Sequence, residues 1–172
     1  MILVILFPLM ILLFLWGWRE TGSPIFTQSR VGYQQKPFRL FKFRSMAMDT
    51  LSLPSHLVDG ASITPYGRFL RKSKLDELPQ LINVIKGEMS LVGPRPGLFN
   101  QFELTQQRVR YDVYSVKPGI TGLSQVNGID MSTPELLAQT DAQMIAKLNL
   151  LLYVKILFWT VMGKGSGDAI AR

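Results

Sequence analysis

Cysteine is absent from the 172-residue chain, and histidine occurs once, at position 56. Disulfides and thiolate metal sites are therefore excluded. So are multi-histidine metal centres, and a histidine-based triad is not expected. His56 sits in a Ser-, Pro- and Gly-flanked stretch with no evident orienting partner, and reads as a surface-loop residue. Acid is also scarce, at 12 Asp and Glu against 19 Lys and Arg, a formal net charge of +7. That balance calls for an anionic partner: nucleic acid, acidic lipid or a phosphorylated substrate. Neither a Rossmann nor a P-loop glycine spacing occurs, and there is no internal repeat or sign of a second domain. What remains is one domain-sized unit, long enough for a core, whose chemistry must run on Asp, Glu, Arg and Lys.

The opening residues lack charge altogether. Residues 1–18 are apolar apart from the breakers Pro8 and Gly17, and the first charges are Arg19 and Glu20. The run has no basic leader and no small-residue cleavage site, so it does not read as a signal peptide. Three readings stay open: a short transmembrane helix, a helix kinked at Pro8 that dips in and returns, or a buried core helix. Trp16 and Trp18 beside Arg19 match an interfacial anchor. The expected division is a membrane-inserted anchor over 1–18 and a catalytic domain over 19–172.

Beyond the anchor, Gly22-Ser23-Pro24 predicts a turn and Ile25 to Gly32 a short strand. Residues 30–44 carry Arg30, Lys36, Arg39, Lys42 and Arg44 without an acid, interleaved with Phe38, Phe41 and Phe43. Such a mixture suits base stacking, phosphates at a membrane surface or a plain solvated basic face. Residues 49–65 predict a loop, and Tyr66 to Lys74 a basic helical approach to Asp76 and Glu77. Leu78, Leu81, Ile82 and Ile85 then recur at helical spacing, and Gly87 marks the stop. The adjacent carboxylates would thus lie at or near a helix N-terminus, where phosphate is favoured. Two acids among Arg68, Arg71, Lys72 and Lys74 suggest metal-assisted phosphoryl chemistry.

Further on, Ser90 to Pro96 predicts a rigid turn presenting Arg95 between Pro94 and Pro96, either as an anion clamp or as an ordinary structural turn. Residues 98–115 predict a mixed-charge helix, and Lys117 to Gly128 a glycine-punctuated loop and short strand. A further helix starts with Thr133 as N-cap and Pro134 at its first position, running toward Leu148. Residues 148–162 suit a helix in the headgroup plane with Lys155 snorkelling, or a core helix. Gly163 to Arg172 predicts a polar tail. The fold class expected is α+β, mainly helical: a kinked or re-entrant membrane helix plus a compact domain with interfacial amphipathic helices.

Several segments together resemble the bacterial sugar transferase family, in its small monotopic phosphoglycosyl transferase form. They are Phe26-Thr27-Gln28-Ser29-Arg30-Val31-Gly32, Phe41-Lys42-Phe43-Arg44-Ser45-Met46, Leu75 to Leu81, Asn83 to Pro96 and Lys117 to Gly122. The resemblance covers about residues 5–165 and has its motifs in family order. It implies transfer of a sugar-1-phosphate from a UDP-sugar to undecaprenyl or another polyprenyl phosphate, releasing UMP through an aspartyl-phosphosugar intermediate. That reaction would initiate O-antigen, capsule, exopolysaccharide or glycoprotein glycan assembly. By motif position Asp76 is the nucleophile and Glu77 its partner in holding Mg²⁺ and the phosphates. Lys42, Arg71 and Arg95 match positions around the substrate phosphate. The implied location is the bacterial inner membrane, in contact with its lipid, with the catalytic domain on the cytoplasmic face and no nucleic-acid partner. The sequence departs from the family at Phe7, where Ser commonly precedes the membrane proline, and in a short first arm before Pro8. Leu123 also replaces a frequent Trp, and Met144-Ile145 common aromatics; none of these is at the implied phosphate site. Two readings from other classes compete: a membrane-tethered nucleic-acid module built on 30–44 and 66–74, and a catalytically silent membrane scaffold.

Overall fold

The computed structural model describes residues 2–46 and 63–165, with side chains from Phe7 onward. His56, most of the 49–65 loop and the tail beyond Gly165 lie outside the described residues. The chain is mixed α+β and mostly helical, as expected. Its elements are α1 (Ile2–Thr21), β1 (Ile25–Val31), β2 (Pro37–Phe43), α2 (Pro65–Ser73), α3 (Gln80–Ile85), β3 (Ser90–Val92), α4 (Phe102–Arg110), β4 (Gly119–Thr121), α5 (Leu123–Val126), α6 (Pro134–Lys147) and α7 (Leu150–Val161). Short 3-10 turns lie at Tyr33–Gln35, Leu75–Glu77 and Val113–Ser115. The chain divides into two compact, interleaved units. The first holds the described residues up to Gln28 and from Leu40 to Asn83; the second holds Ser29–Arg39 and the described residues from Val84 on.

In the first unit α1 continues through Pro8 as one helical element. Its Leu13 is buried, but Phe7, Ile11, Leu12, Leu15, Trp16 and Trp18 are exposed, so it is not a covered core helix. Among the described residues no helix is long and apolar enough to cross a membrane. The core of this unit is Leu13, Phe43, Tyr66 and Leu70, flanked by Leu9, Met10, Ile25, Leu75 and Leu78. Helix α2 starts because the Thr64 hydroxyl accepts from the Gly67 N–H at 2.9 Å and Pro65 occupies its first turn.

Tyr66 fastens α1 to α2. Its hydroxyl donates to the Leu13 carbonyl at 2.7 Å, and its own N–H donates to Glu20 Oε1 at 3.3 Å. The Trp16 ring lies 5.1 Å from the Tyr66 ring, centroid to centroid. Gly17 makes this approach feasible, since a Cβ there would stand 2.9 Å from Tyr66 Oη. Burial, and then the Glu20 charge, push the Tyr66 hydroxyl up from 10.0 to about 12. A raised folded-state value means that Tyr66 contributes its stability in full below pH 10 and loses it as pH rises toward 12. Across that window Tyr66 is expected to withdraw about 3 kcal/mol. Denaturant unfolding at stepped alkaline pH should show that slope in the unaltered chain and its loss in Tyr66→Phe.

The second unit is built on a parallel two-stranded pair, β3 with β4, in register Ser90 to Gly119 and Val92 to Thr121. The Gly93 N–H donates to the Thr121 carbonyl at 2.8 Å, extending the ladder. Backbones run so close here that a Cβ on Gly119 would overlap the Gly93 backbone. The core is Val92, Val126, Met144 and Ile156, covered by Leu123, Leu152, Tyr153, Leu157 and Trp159. Asn149 caps α7 by accepting from the Leu152 N–H at 2.9 Å. Leu150, Leu151, Val154, Phe158 and Val161 are exposed on α7. A covered core helix is therefore not what α7 is.

Three local expectations are corrected. The stretch from Ser90 begins as a strand rather than a turn, because β4 supplies a partner from a distant part of the sequence. The predicted 98–115 helix is two pieces, α4 and a 3-10 turn, separated at Asp112 in the left-handed region (φ 53°). Thr133 stands at the N-cap of α6 but makes no side-chain cap; its hydroxyl donates to the Asp130 carbonyl at 3.4 Å instead.

Candidate active site

The acidic pair does not open a long helix. Asp76 and Glu77 lie in the Leu75–Glu77 3-10 turn, and α3 begins only at Gln80 and has six residues. The apolar spacing also misassigns its buried face. Ile82 and Ile85 are exposed, whereas Gln80 and Asn83 are buried. Asn83 is buried because its Oδ1 accepts from the Phe41 N–H at 3.1 Å, tying α3 to β2. A helix this short cannot supply the N-terminal dipole that the sequence suggested. The electrostatics of the pair must come from side chains.

Lys74, just before the pair, has φ 57° and ψ 17°. For a non-glycine residue the left-handed region costs on the order of 1–2 kcal/mol. The Lys74 N–H donates to the Arg71 carbonyl at 3.2 Å and closes α2 at this point. The reversal turns Asp76 inward, where it is 5% exposed.

On β2 the alternation places Phe38, Leu40 and Lys42 inward and Arg39 outward. An inward lysine has to find a carboxylate, since a lone buried cation is prohibitive. Lys42 Nζ finds Glu77 Oε1 at 3.3 Å, with both side chains largely shielded. Arg71, projecting from α2, donates from Nε to Ser45 Oγ at 2.8 Å. Its Nη1 is buried and has no hydrogen-bond partner among the described residues. A shielded guanidinium nitrogen left unpaired is costly unless an anion completes it. The first unit thus brings Asp76, Glu77, Lys42 and Arg71 onto adjoining elements: β2, α2 and the turn between α2 and α3.

Arg95, the remaining predicted phosphate ligand, belongs to the second unit. It is the only residue from Val92 to Leu98 that is not buried. Sequence reading missed the groups beneath it. Arg108 on α4 is 2% exposed and donates from Nη2 to Asp141 Oδ2 at 2.7 Å and from Nη1 to the Arg95 carbonyl at 2.7 Å. Ser124 Oγ donates to Asp141 Oδ1 at 2.6 Å. The available signal was an acid on an apolar stripe: Asp141 shares its face of α6 with Leu137 and Met144, both buried.

The chain therefore carries, on adjoining elements of its first unit, two carboxylates, a buried lysine and an arginine with one buried nitrogen that has no partner among the described residues. It belongs to the bacterial sugar transferase family, whose profile matches residues 1–165. Among curated relatives it is 43% identical over 144 residues to an uncharacterized sugar transferase, EpsL, of Bacillus subtilis, covering 83% of this chain and 70% of that protein. It is 43% identical over 145 residues to the undecaprenyl-phosphate galactose phosphotransferase of Salmonella typhimurium (74% of this chain, 30% of the relative). It is also 38% identical over 149 residues to the UDP-glucose:undecaprenyl-phosphate glucose-1-phosphate transferase of Escherichia coli (81% and 32%). The chain thus spans most of the first relative but only about a third of the other two.

Proposed function

We propose that this chain transfers a sugar-1-phosphate from a UDP-sugar to undecaprenyl or a related polyprenyl phosphate, releasing UMP and priming glycan assembly. The observation that carries the reading is Asp76, shielded from solvent and adjacent in the chain to Glu77, which pairs with the buried Lys42; Arg71, on the preceding helix, has a buried Nη1 with no partner among the described residues. The names of the relatives support the donor and acceptor classes.

In the first step an Asp76 carboxylate oxygen attacks the phosphorus that carries the sugar. The new O–P bond forms as the bond to the bridging oxygen breaks, and UMP leaves with that oxygen. In the second step an oxygen of the polyprenyl phosphate attacks the same phosphorus, and the Asp76–phosphorus bond breaks to regenerate the carboxylate. Carboxylate attack on a diphosphate sets like charges together, so fixed cations must offset the repulsion and hold the charge on the equatorial oxygens. Lys42 and Arg71 do this in the first unit, and Arg95 is assigned the same role toward substrate phosphate. Because Lys42 is anchored on Glu77, it is oriented before substrate arrives.

Asp76 and Glu77 are also the residues that would hold Mg²⁺. No group of three or more His, Asp or Glu side chains converges among the described residues. A pair of hard carboxylate donors completed by substrate phosphates nevertheless fits this ion, which commonly binds in that way. When bound it would neutralise phosphate charge as a Lewis acid.

A lipid acceptor calls for a bilayer. The exposed apolar residues of α1 with Trp16 and Trp18, and those of α7 with Lys155 over Trp159 at 4.8 Å, are suited to inner-membrane lipid. Attachment there, with catalysis on the cytoplasmic face, completes the proposal. Membranes carrying the full chain, given Mg²⁺, undecaprenyl phosphate and a panel of UDP-sugars, should release UMP with at least one sugar. Folded, membrane-bound protein that releases none overturns the proposal.

A further inference from the structure

The turn bearing Arg95 is bonded in a way that ordinary surface turns are not. Its four successive carbonyls are each taken by a donor from elsewhere in the second unit. Pro94 accepts from the Gly119 N–H at 2.9 Å and Arg95 from Arg108 Nη1 at 2.7 Å. Pro96 accepts from Arg30 Nη1 at 3.2 Å and Gly97 from the Val31 N–H at 3.0 Å. Pro94 and Pro96 have no N–H and fixed φ, so the segment has little means of bonding to itself. β1, β4 and its approach, and α4 hold it instead. The flanking Gly93, Pro94, Pro96 and Gly97 are buried, and Arg95 between them is half-buried.

Arg108 is the most heavily supported of these donors. Asp141 holds its Nη2, Ser124 holds the other Asp141 oxygen, and the ion pair is 2% and 1% exposed on its two side chains. An apolar pair of similar volume would usually serve stability as well or better. What an apolar pair could not do is donate to one chosen backbone carbonyl. We infer that Arg108, held by Asp141 and Ser124, is a positioning residue that sets the direction in which Arg95 meets the substrate phosphate. This rests on the role assigned to Arg95 in the proposed function.

The test is a kinetic double-mutant cycle on the full chain in membranes, following UMP release at saturating undecaprenyl phosphate while the UDP-sugar is varied. Arg108→Lys is expected to raise KM for the UDP-sugar and lower kcat/KM by about 10- to 100-fold, and Ser124→Ala by less. In an Arg95→Gln background either change should add less than about twofold, because the two positions act as one. Equal losses in both backgrounds would mean a structural role and would overturn the inference, as would unaltered kinetics in Arg108→Lys and Ser124→Ala. Arg95→Gln with wild-type kinetics would instead overturn the assignment of Arg95, and the inference with it. Hydrogen exchange supplies a readout independent of turnover. Ser124→Ala should speed exchange at the Val31 and Gly119 amides, which donate to the turn, more than at amides of the first unit, and unchanged protection there also overturns the inference.

Discussion

Asparagine in place of Asp76 is expected to lower UMP release by at least about 10³-fold while leaving the fold intact. The amide is nearly the same size as the carboxylate and keeps an acceptor oxygen, so the buried position of Asp76 stays filled. It removes the negative charge and, on the proposed mechanism, the nucleophilic oxygen, and loss of a covalent nucleophile generally costs several orders of magnitude. Intact-mass measurement distinguishes this from mere loss of binding. With UDP-sugar and no lipid acceptor, the unaltered chain should gain the mass of one phosphosugar, and Asp76→Asn should gain none. Glu77→Gln should behave differently. It removes the anchor of Lys42 at 3.3 Å but leaves the nucleophile, so slow adduct formation is expected to persist. Asp76→Asn turning over within tenfold of the unaltered chain would sink the covalent mechanism.

The largest effect on stability is expected at Asp141. Its two oxygens accept from Arg108 and Ser124 at 2.7 and 2.6 Å, in a site where neither partner of the ion pair has appreciable exposure. Asp141→Ala would leave the Arg108 guanidinium buried without a countercharge, which costs about 3–5 kcal/mol. For a chain of this length that is a fall in Tm of roughly 6–20 °C. Burial pushes the Asp141 carboxyl above the usual carboxylate range, and the bonds from Arg108 and Ser124 only partly oppose it. With its folded-state value raised, Asp141 contributes stability below the unfolded value of about 3.9 and loses it as pH rises through the folded one. A buried ion pair is in general no more stabilising than apolar packing of similar volume. The double variant Arg108→Met/Asp141→Leu should recover part of the stability lost by Asp141→Ala, because the buried charge leaves together with its partner. It would also leave the Arg95 carbonyl without its donor. Denaturant midpoints for the three proteins decide this, and a loss below about 1 kcal/mol in Asp141→Ala would refute the account.

The two expected results draw on different levels of the molecule. Asp76 is legible from residue type and spacing alone, because adjacent acids among cations are conspicuous in a basic chain. Lys42 is legible only through the family motif around it, since residues 30–44 by themselves read as a basic-aromatic mixture and not as the strand that turns Lys42 inward. Helices α2, α6 and α7 follow from local signals: a basic run from Tyr66 to Lys74, a proline at the first position of α6, and an apolar run over 148–162. The caps at Thr64 and Asn149 are seen only in the structure. Local pattern fails at α3. Leu78, Leu81, Ile82 and Ile85 have helical spacing, yet the side that is buried carries Gln80 and Asn83. Periodicity records which residues are apolar, and it cannot record that an amide will be drawn inward to receive the Phe41 N–H.

By itself, then, the sequence determined the chemistry on offer and the local elements that carry it. It excluded thiol chemistry and multi-histidine metal centres, placed two carboxylates after a basic helix, and set Arg95 between two prolines. These are properties of residue type and short spacing, where sterics and charge act within a turn or two. Tertiary structure alone decided which distant groups complete them. The parallel pairing of Ser90–Val92 with Gly119–Thr121, the inward turn of Lys42 onto Glu77, and the Arg108–Asp141 pair across 33 positions are non-local. Each is selected because a buried polar group must be satisfied by whatever the folded chain brings within about 3 Å, a condition that no local pattern of residues encodes.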